Sequence, residues 1–597
     1  MKKILFLSMI LFFPVLLSAQ YYKERTTEHN FEKSDLFFKS YYLNPLGMKN
    51  IKQLSLGLID NPFLNAQLNP AFMPTDTANG STYVYLDFRG DRTEAPIIKS
   101  GIVPAYYDYN YRYIPDYRLI STTREEPEPI VSVGIITHPV AALKNNFYIG
   151  GTFQYINKKD KFYTTPFYIY NSRFSAYEAD AVKASSVPVV DRYAGKDEMI
   201  LKGKLFTAFA GYRLTDNFSI GININTISYD KNGSYLNENN DKYGNNHENE
   251  NRSKELRTRT QNYSHIDFAL GTMYKLNKDF SFGIKAGILN GNVGQNHLTE
   301  RNYFYRHNKP NVSQNWWLSS TQNHNNQDWK HNGNTKYMGF NFIKALSKSR
   351  VKGYYKYSST KINTTTTSAI FDTSYNSSKW VSNYDTTFYI YNGHSLTKDN
   401  RDGNGIREST SHEAMINVDW QLNEKTKMIV GLYINNTNYK ILNNENAKTK
   451  ILNYYKEEGS YKYLDDRTTA EDKILTWKYN SDYFTFQIPV ILNFKINNTF
   501  DFMLGITRVF QEWNITSRTD VYFNERKESI NGNQNTENNF IERYTMPNDV
   551  YTDDFTNIFA KFNVNVSKPV KISLLLDPEF EDTFRIAQWF LSFEARL

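Results

Sequence analysis

The sequence predicts an all-β fold, closed into a transmembrane antiparallel barrel, and three observations carry that prediction. Segments of about 9–11 residues alternate apolar and polar with a period of two, the length a tilted membrane-spanning strand needs. Short turns alternate regularly with long Asn-, Ser- and Lys-rich connections, as periplasmic turns and external loops do in outer-membrane barrels. The mean hydropathy of -0.62 and 40% hydrophobic content are too polar for a helical membrane protein. A barrel shows lipid only every second strand residue, so its average looks soluble.

The chain of 597 residues divides into three parts. Residues 1–19 read as a signal peptide: Lys2 and Lys3 form a basic start, 4–17 an apolar run, and Ser18 and Ala19 offer small residues before Gln20, so cleavage is expected near Ala19. Residues 20–80 have no clean period. Phe37, Phe38, Tyr41, Tyr42, Leu56, Leu58 and Ile59 are scattered among Pro45, Pro62, Pro70 and Pro74, which suggests an irregular N-terminal hatch or plug. From 81 to 597 alternation dominates, and this is the barrel.

The strands follow in order. Phe206, Ala208, Ala210 and Tyr212 alternate up to a turn at 214–217, after which Ile220, Ile222 and Ile224 alternate with Gly221, Asn223 and Asn225. The same hairpin recurs with Ile266, Phe268 and Leu270 before Phe282 and Ile284, with Ile416, Val418 and Trp420 before Val430 and Leu432, and with Ile488, Val490 and Leu492 before Phe502 and Leu504. Extended over the chain, strands fall near 82–88, 131–138, 147–156, 205–213, 218–229, 264–276, 280–289, 336–346, 351–358, 412–422, 428–436, 483–496, 500–511, 555–567, 570–576 and 588–597. The barrel has 14 strands without the two weakest segments (82–88 and 570–576) and 16 with them. Long extracellular loops are expected at 89–130, 157–204, 230–263, 290–335, 359–412, 436–482 and 512–554. Tyr155, Tyr212, Tyr229, Tyr274 and Trp420 fit interfacial girdles.

The inward face reads as polar with sparse charges of both signs, among them Asn223, Asn225, Asp267, Lys285, Asn341 and Asn417. Inward glycines recur at Gly221, Gly271, Gly283, Gly287, Gly431 and Gly505. They let strands coil as the barrel closes, or clear room for a plug.

The run Asn65 to Pro74, containing Asn69, Pro70, Ala71 and Phe72, followed by the strand at 82–88, resembles the end of the hatch and first strand of the FadL-type hydrophobic-compound transporters, which carry an Asn-Pro-Ala triplet in this place. The resemblance covers about 25 residues and implies a fourteen-strand barrel with an N-terminal hatch that passes long-chain fatty acids or aromatic hydrocarbons, with a lateral opening in its wall. The same lead-in is similar to that of PorV-type and PorP/SprF-type barrels of type IX protein secretion. Longer loops and a sixteen-strand count depart from the FadL pattern.

Three functions stay open on the sequence: passage of a hydrophobic small molecule, a secretion or surface-docking role with protein partners, and a structural or adhesive barrel. Lipid of a Gram-negative outer membrane and the barrel-assembly machinery are expected partners, and a net charge of +8 spread over so long a chain argues against nucleic acid. Candidate ligand-capture residues are the loop aromatics Tyr303, Phe304, Tyr305, Trp316, Trp317 and Trp329. No enzyme is expected. The ten His are scattered, no Gly-x-Ser-x-Gly, His-Glu-x-x-His or P-loop occurs, and the absence of Cys removes thiol chemistry, disulfides and a lipoprotein anchor. No cofactor or metal is expected: His324 and His331 read as a solvated pair, and the stretch Asp399 to Gly405 fails the calcium-loop register and reads as a loop tip.

Overall fold

The computed structural model describes residues 25–31, 36, 38–43, 61–72, 82–91, 129–139, 146–163, 192–243, 249–308, 315–381, 388–459, 462–546, 548–567, 569–580 and 584–597. The signal segment, with its expected cleavage near Ala19, and the connections 92–128 and 164–191 lie outside these residues. Among the described residues seventeen strands form one antiparallel sheet. They are β1 (Tyr83–Asp91), β2 (Val131–Thr137), β3 (Phe147–Tyr163), β4 (Arg192–Thr215), β5 (Phe218–Tyr243), β6 (Asn249–Lys275), β7 (Phe280–His307), β8 (Trp316–Ala345), β9 (Ser349–Val381), β10 (Phe388–Asn423), β11 (Thr426–Gly459), β12 (Tyr463–Lys495), β13 (Phe500–Ile530), β14 (Asn533–Thr545), β15 (Asp549–Ser567), β16 (Val570–Phe580) and β17 (Phe584–Arg596).

Successive strands pair, and β1 pairs with both β2 and β17, with Tyr83 opposite Arg596, so the sheet closes on itself. β14 folds back on the upper half of β13, whose lower half pairs with β15. Setting β14 aside, sixteen of the seventeen strands form the ring, the larger of the two numbers the sequence allowed. Both weak segments are wall strands, β1 and β16. A closed ring leaves no unpaired edge, which a barrel in hydrocarbon requires. Among the described residues no helix is long and apolar enough to cross a membrane.

Alternation explains the lower wall. On β6, Ile266, Phe268 and Leu270 are 51%, 43% and 53% exposed, while Asp267 and Ala269 between them are buried. The outward set continues around the ring through Ile222, Ile284, Phe340, Ile416, Ile488, Ile506 and Phe562, all exposed, and makes the lipid-facing belt. Tyr274 and Trp420 point outward as girdle residues, whereas Tyr229 is buried inside and stacks on Tyr263 at 4.8 Å. Tight turns close the bottom. At β6–β7 and β12–β13 an asparagine, Asn277 or Asn497, accepts from the amides two and three residues on, at 2.8–2.9 Å.

The wall is far taller than the belt. Strands β8 to β13 run 30, 33, 36, 34, 33 and 31 residues, against 9 and 7 for β1 and β2. Spanning a bilayer takes about 9–11 residues, so the upper two-thirds of the long strands stand beyond the belt. There the outward residues turn polar: Asn290, Asn292, Lys336, Lys361, Asn363 and Glu408 are all exposed. The long loops expected at 230–263, 290–335, 359–412, 436–482 and 512–554 are for the most part continuations of paired strands. Asp399 to Gly405 is not a loop tip but the middle of β10, with Asp399 bound to Arg401. The ladder persists there because Thr-rich strands pair well across a sheet even when both faces are polar, as the facing hydroxyls of Thr335 and Thr360 (2.8 Å) show.

Candidate functional site

The described N-terminal residues lie inside the ring and descend through it. Arg25 to Phe31 sit in the upper wall, residues 38–43 near the top of the belt, and 61–72 within the belt. In the lowest stretch a short helix, α1 (Pro62–Leu68), starts at Asn61, whose Oδ1 accepts from the amides of Phe63 (2.9 Å) and Leu64 (3.4 Å), with Pro62 in the first turn. Phe63 is fully buried among Tyr83, Tyr85, Tyr148 and Phe209.

The helix ends at Asn69, and the Asn-Pro-Ala triplet is the contact that seats it. Asn69 Nδ2 donates to the carbonyls of Thr272 (3.0 Å) and Ile284 (3.3 Å) and to Asn341 Oδ1 (3.0 Å), while its Oδ1 accepts from the Ala71 amide (3.0 Å). Tyr148 OH donates to the Pro70 carbonyl, and Ser219 Oγ donates to the Ala71 carbonyl at 2.6 Å. The triplet therefore touches β3, β5, β6, β7 and β8 at once.

Wall glycines permit this approach. A Cβ at Gly221 would fall on the Pro70 carbonyl, and one at Gly271 on Asn69 Oδ1. A Cβ at Gly283 would also come within 2.6 Å of Asn69 Nδ2. Of the inward glycines singled out in the sequence, these three make room for the N-terminal segment, whereas Gly287 and Gly505 face the wall's own Tyr337 and Phe559 rings.

The upper contact is ionic. Glu28 and Arg407 are buried and form an ion pair, His331 Nε2 lies 3.0 Å from the same carboxylate oxygen, and Arg407 Nη1 donates to Tyr439 OH at 2.8 Å. The Thr27 amide donates to Glu445 Oε2 at 2.8 Å, and Glu445 also meets Arg401 at 3.2 Å. Burial alone raises the Glu28 carboxyl, but the Arg407 guanidinium and His331 outweigh it and hold the group below its ordinary range. Burial, with the charge of Arg25, pushes the neighbouring His29 down to about 4. His29 stacks against Trp477 at 4.7 Å.

Between the two contacts lies a cavity of about 190 Å³. The N-terminal segment supplies Phe38 to Leu43, Leu64, Gln67 and Leu68, and the wall supplies Leu205, Leu289, Tyr337, Tyr354 and a set of hydroxyl residues. Lys285, at its edge, donates to the Gln67 carbonyl (2.7 Å) and to Tyr42 OH (3.1 Å). Asp267 accepts from Tyr337 OH at 2.9 Å and from Ser40 Oγ.

The six aromatics proposed for capture do not converge. Tyr305 and Trp317 meet edge to face at 5.8 Å near the top of β7 and β8, with Tyr303, Phe304 and Trp316 near them in the same ladder, Arg252 lying 4.8 Å over the Phe304 ring. Trp329 is far lower on β8, fully buried, and donates from Nε1 to the Thr27 carbonyl at 2.9 Å. It is an internal anchor and not a loop residue, because the ladder turns its side chain inward. His324 and His331 likewise separate. His324 is exposed beside Glu300 at 3.4 Å, and His331 is buried on Glu28. Among the described residues no group of three or more His, Asp or Glu side chains is placed to hold a metal ion. Tyr148, Ser219, Glu28, Arg407 and Glu445 were not singled out from sequence, since only the cross-chain register brings them to their partners.

No protein-family model matches the sequence, and no curated protein matches it. Solved structures that are similar include a Pseudomonas aeruginosa FadL homologue at 8% identity and TM-score 0.28, covering 94% of this chain and 99% of that one. The Ralstonia pickettii toluene transporter TbuX is similar at 8% identity and TM-score 0.29, covering 89% and 93%. The siderophore receptor PirA from Acinetobacter baumannii is similar at 8% identity and TM-score 0.24, covering 87% and 81%. At these scores the likenesses carry no argument about this chain, and the barrel rests on its own strand pairing.

Proposed function

We propose that this chain is a Gram-negative outer-membrane barrel, placed there by the barrel-assembly machinery, that passes hydrophobic small molecules passively, with the N-terminal segment as its plug. The observation that supports this most is the cavity between segment and wall. It lies near the top of the lipid-facing belt, and Leu43, Leu64, Leu68, Leu205 and Leu289 give it an apolar side. A solute entering from outside would rest there above the seated Asn-Pro-Ala triplet, and onward passage requires that triplet to move. Binding sites of this kind combine an apolar surface with a few placed polar groups.

The test is uptake of a radiolabelled long-chain fatty acid and of an aromatic hydrocarbon by cells with and without the protein. Faster uptake with the protein present is expected for at least one class, and equal uptake of both would refute the reading. A second reading, docking of a secreted or surface protein, is favoured by one observation: strands of 30–36 residues carry a polar outer wall well past the belt. Crosslinking in intact membranes followed by pull-down separates the two.

A further inference from the structure

We propose that the upper edge of β15 is a docking site for an extended segment of another protein, one that joins the sheet as a further strand and alternates basic with β-branched residues. The inference rests on the docking reading for why a partner comes to the upper wall, and on the edge itself for what kind of segment fits.

The sheet closes within the belt and opens above it. β15 and β16 pair only as far as Ala560 opposite Leu576, and Pro578, which has no N–H to donate, stands two residues further on. From Asp549 to Thr556, β15 pairs with β13 alone among the described residues, and β14 above it does the same. Alternate backbone groups of 549–556 therefore point away from the ladder, over about 26 Å of strand. Outside the membrane such an edge is a template, because a strand laid along it gains backbone hydrogen bonds while pockets and charges beside it select the side chains.

The edge's own side chains define the segment. Counting back in twos from the buried Phe559, Asp549, Tyr551 and Asp553 turn to the lumen side, and Val550, Thr552 and Asp554 turn outward. Arg508, on β13, pairs with Asp554. Asp549 and Asp553 are exposed and have no cation partner among the described residues. Between them Tyr551 stacks on Trp513 at 4.6 Å, and Trp513 meets Tyr483 at 5.1 Å, so three rings form a shelf that ends at the edge. Carboxylates flanking ring faces suit the ammonium of Lys or the guanidinium of Arg. On the outward side Val550 is 57% exposed and offers contact to a β-branched residue opposite it.

Side chains directly opposite each other lie on one face of a sheet, so the fitting segment repeats the alternation of β15 in complementary form. Basic residues face Asp549 and Asp553, and β-branched ones face Val550 and Thr552. A second copy of this chain in the same membrane fails that requirement. It brings the same aspartates to the edge, and like charges oppose pairing.

The experiment uses the full chain in a neutral detergent and a fluorescent ten-residue peptide alternating lysine and valine. Anisotropy is expected to show saturable binding, absent for a glutamate/valine peptide and for a lysine/valine peptide with proline at every second valine. The double substitution Asp549→Asn with Asp553→Asn is expected to weaken binding roughly 2- to 30-fold, the ratio for two exposed ion pairs. Position is read separately. The chain has no Cys, so Thr552→Cys is expected to form a disulfide with a peptide carrying cysteine in place of one valine, whereas Asn290→Cys, exposed on β7, is not. Heat-dependent mobility on a gel verifies that each variant is a closed barrel. No binding of the lysine/valine peptide, equal binding of either control peptide, indifference to the double substitution, or equal disulfide yield at both positions would overturn the proposal. So would slow exchange of every amide of 549–556 before peptide is added, since the edge would then be filled. Failure of the two readings is distinguishable. A surface protein still captured after peptide is fixed at Thr552→Cys removes the edge and keeps docking, whereas peptide binding with no protein captured from intact membranes removes docking and keeps the edge.

Discussion

The N-terminal segment is held at two heights by opposite means. Within the lipid-facing belt the Asn-Pro-Ala triplet is seated by neutral hydrogen bonds and by the bare backbone of Gly221 and Gly271. About ten residues higher along β8, at His331 against Asn341, Glu28 is seated by Arg407 and His331. The lower contact depends on shape, so it should respond to volume and hardly to pH. The upper one depends on charge, and burying an ion pair makes its rupture expensive while its net contribution stays small. A plug built this way can loosen at the top without leaving the bottom.

The largest effect is expected from Arg407→Met, which strands the Glu28 carboxylate in a buried site at a cost of roughly 3–5 kcal/mol. Hydrogen exchange of residues 26–31 is expected to accelerate, and adding Glu28→Gln is expected to recover much of the protection. If the double variant is no better than the single one, the upper contact is not ionic. Next comes Gly221→Val. The wall strand accepts valine, but the side chain meets the Pro70 carbonyl, and overpacking of this kind costs about 1–3 kcal/mol. Conductance in planar bilayers is expected to rise while exchange at 26–31 stays slow, and the reverse pattern would merge the two contacts into one.

A smaller effect follows from pH. Burial in the seated state pushes His29 down to about 4 from an ordinary 6.5. Its neutral form therefore favours the seated state fully above about 6.5, and that preference is lost as the pH falls from there towards 4. Glu28, held below its ordinary 4.5, adds a loss at the acid end of the same window. Once the intrinsic exchange rate at each pH is divided out, protection of 26–31 is expected to be lower at pH 5 than at pH 7, with residues 63–71 showing no such change. The smallest effect is expected at the rim, where Trp317→Ala removes a half-exposed side chain and shifts stability within about 0.5 kcal/mol. An effect on exchange at 26–31 as large as that of Arg407→Met would give the rim a role in seating that the geometry does not.

The belt was legible in the sequence because lipid forces every outward residue to be apolar, so Ile266, Phe268 and Leu270 announce their strand. The upper wall was not. Between Leu289 and Met338 the outward face turns polar, the contrast that marks a strand fades, and Asn-rich ladders read as loops. Trp329 reads as a loop residue for that reason. The triplet at 69–71 was legible as a special backbone, and the inward glycines as either bend or clearance. Their partnership was not, since Asn69 finds Thr272, Ile284 and Asn341 only once more than two hundred residues of register are in place.

The central claim is that the described N-terminal residues, 25–31, 38–43 and 61–72, close the lumen, and single-channel conductance tests it most directly. The full chain and a variant lacking residues 21–80 are compared in planar bilayers, each first shown to be a closed barrel by heat-dependent gel mobility. The deletion is expected to show a large, steady conductance and the full chain little or none. Equal conductance of the two closed barrels would contradict the account.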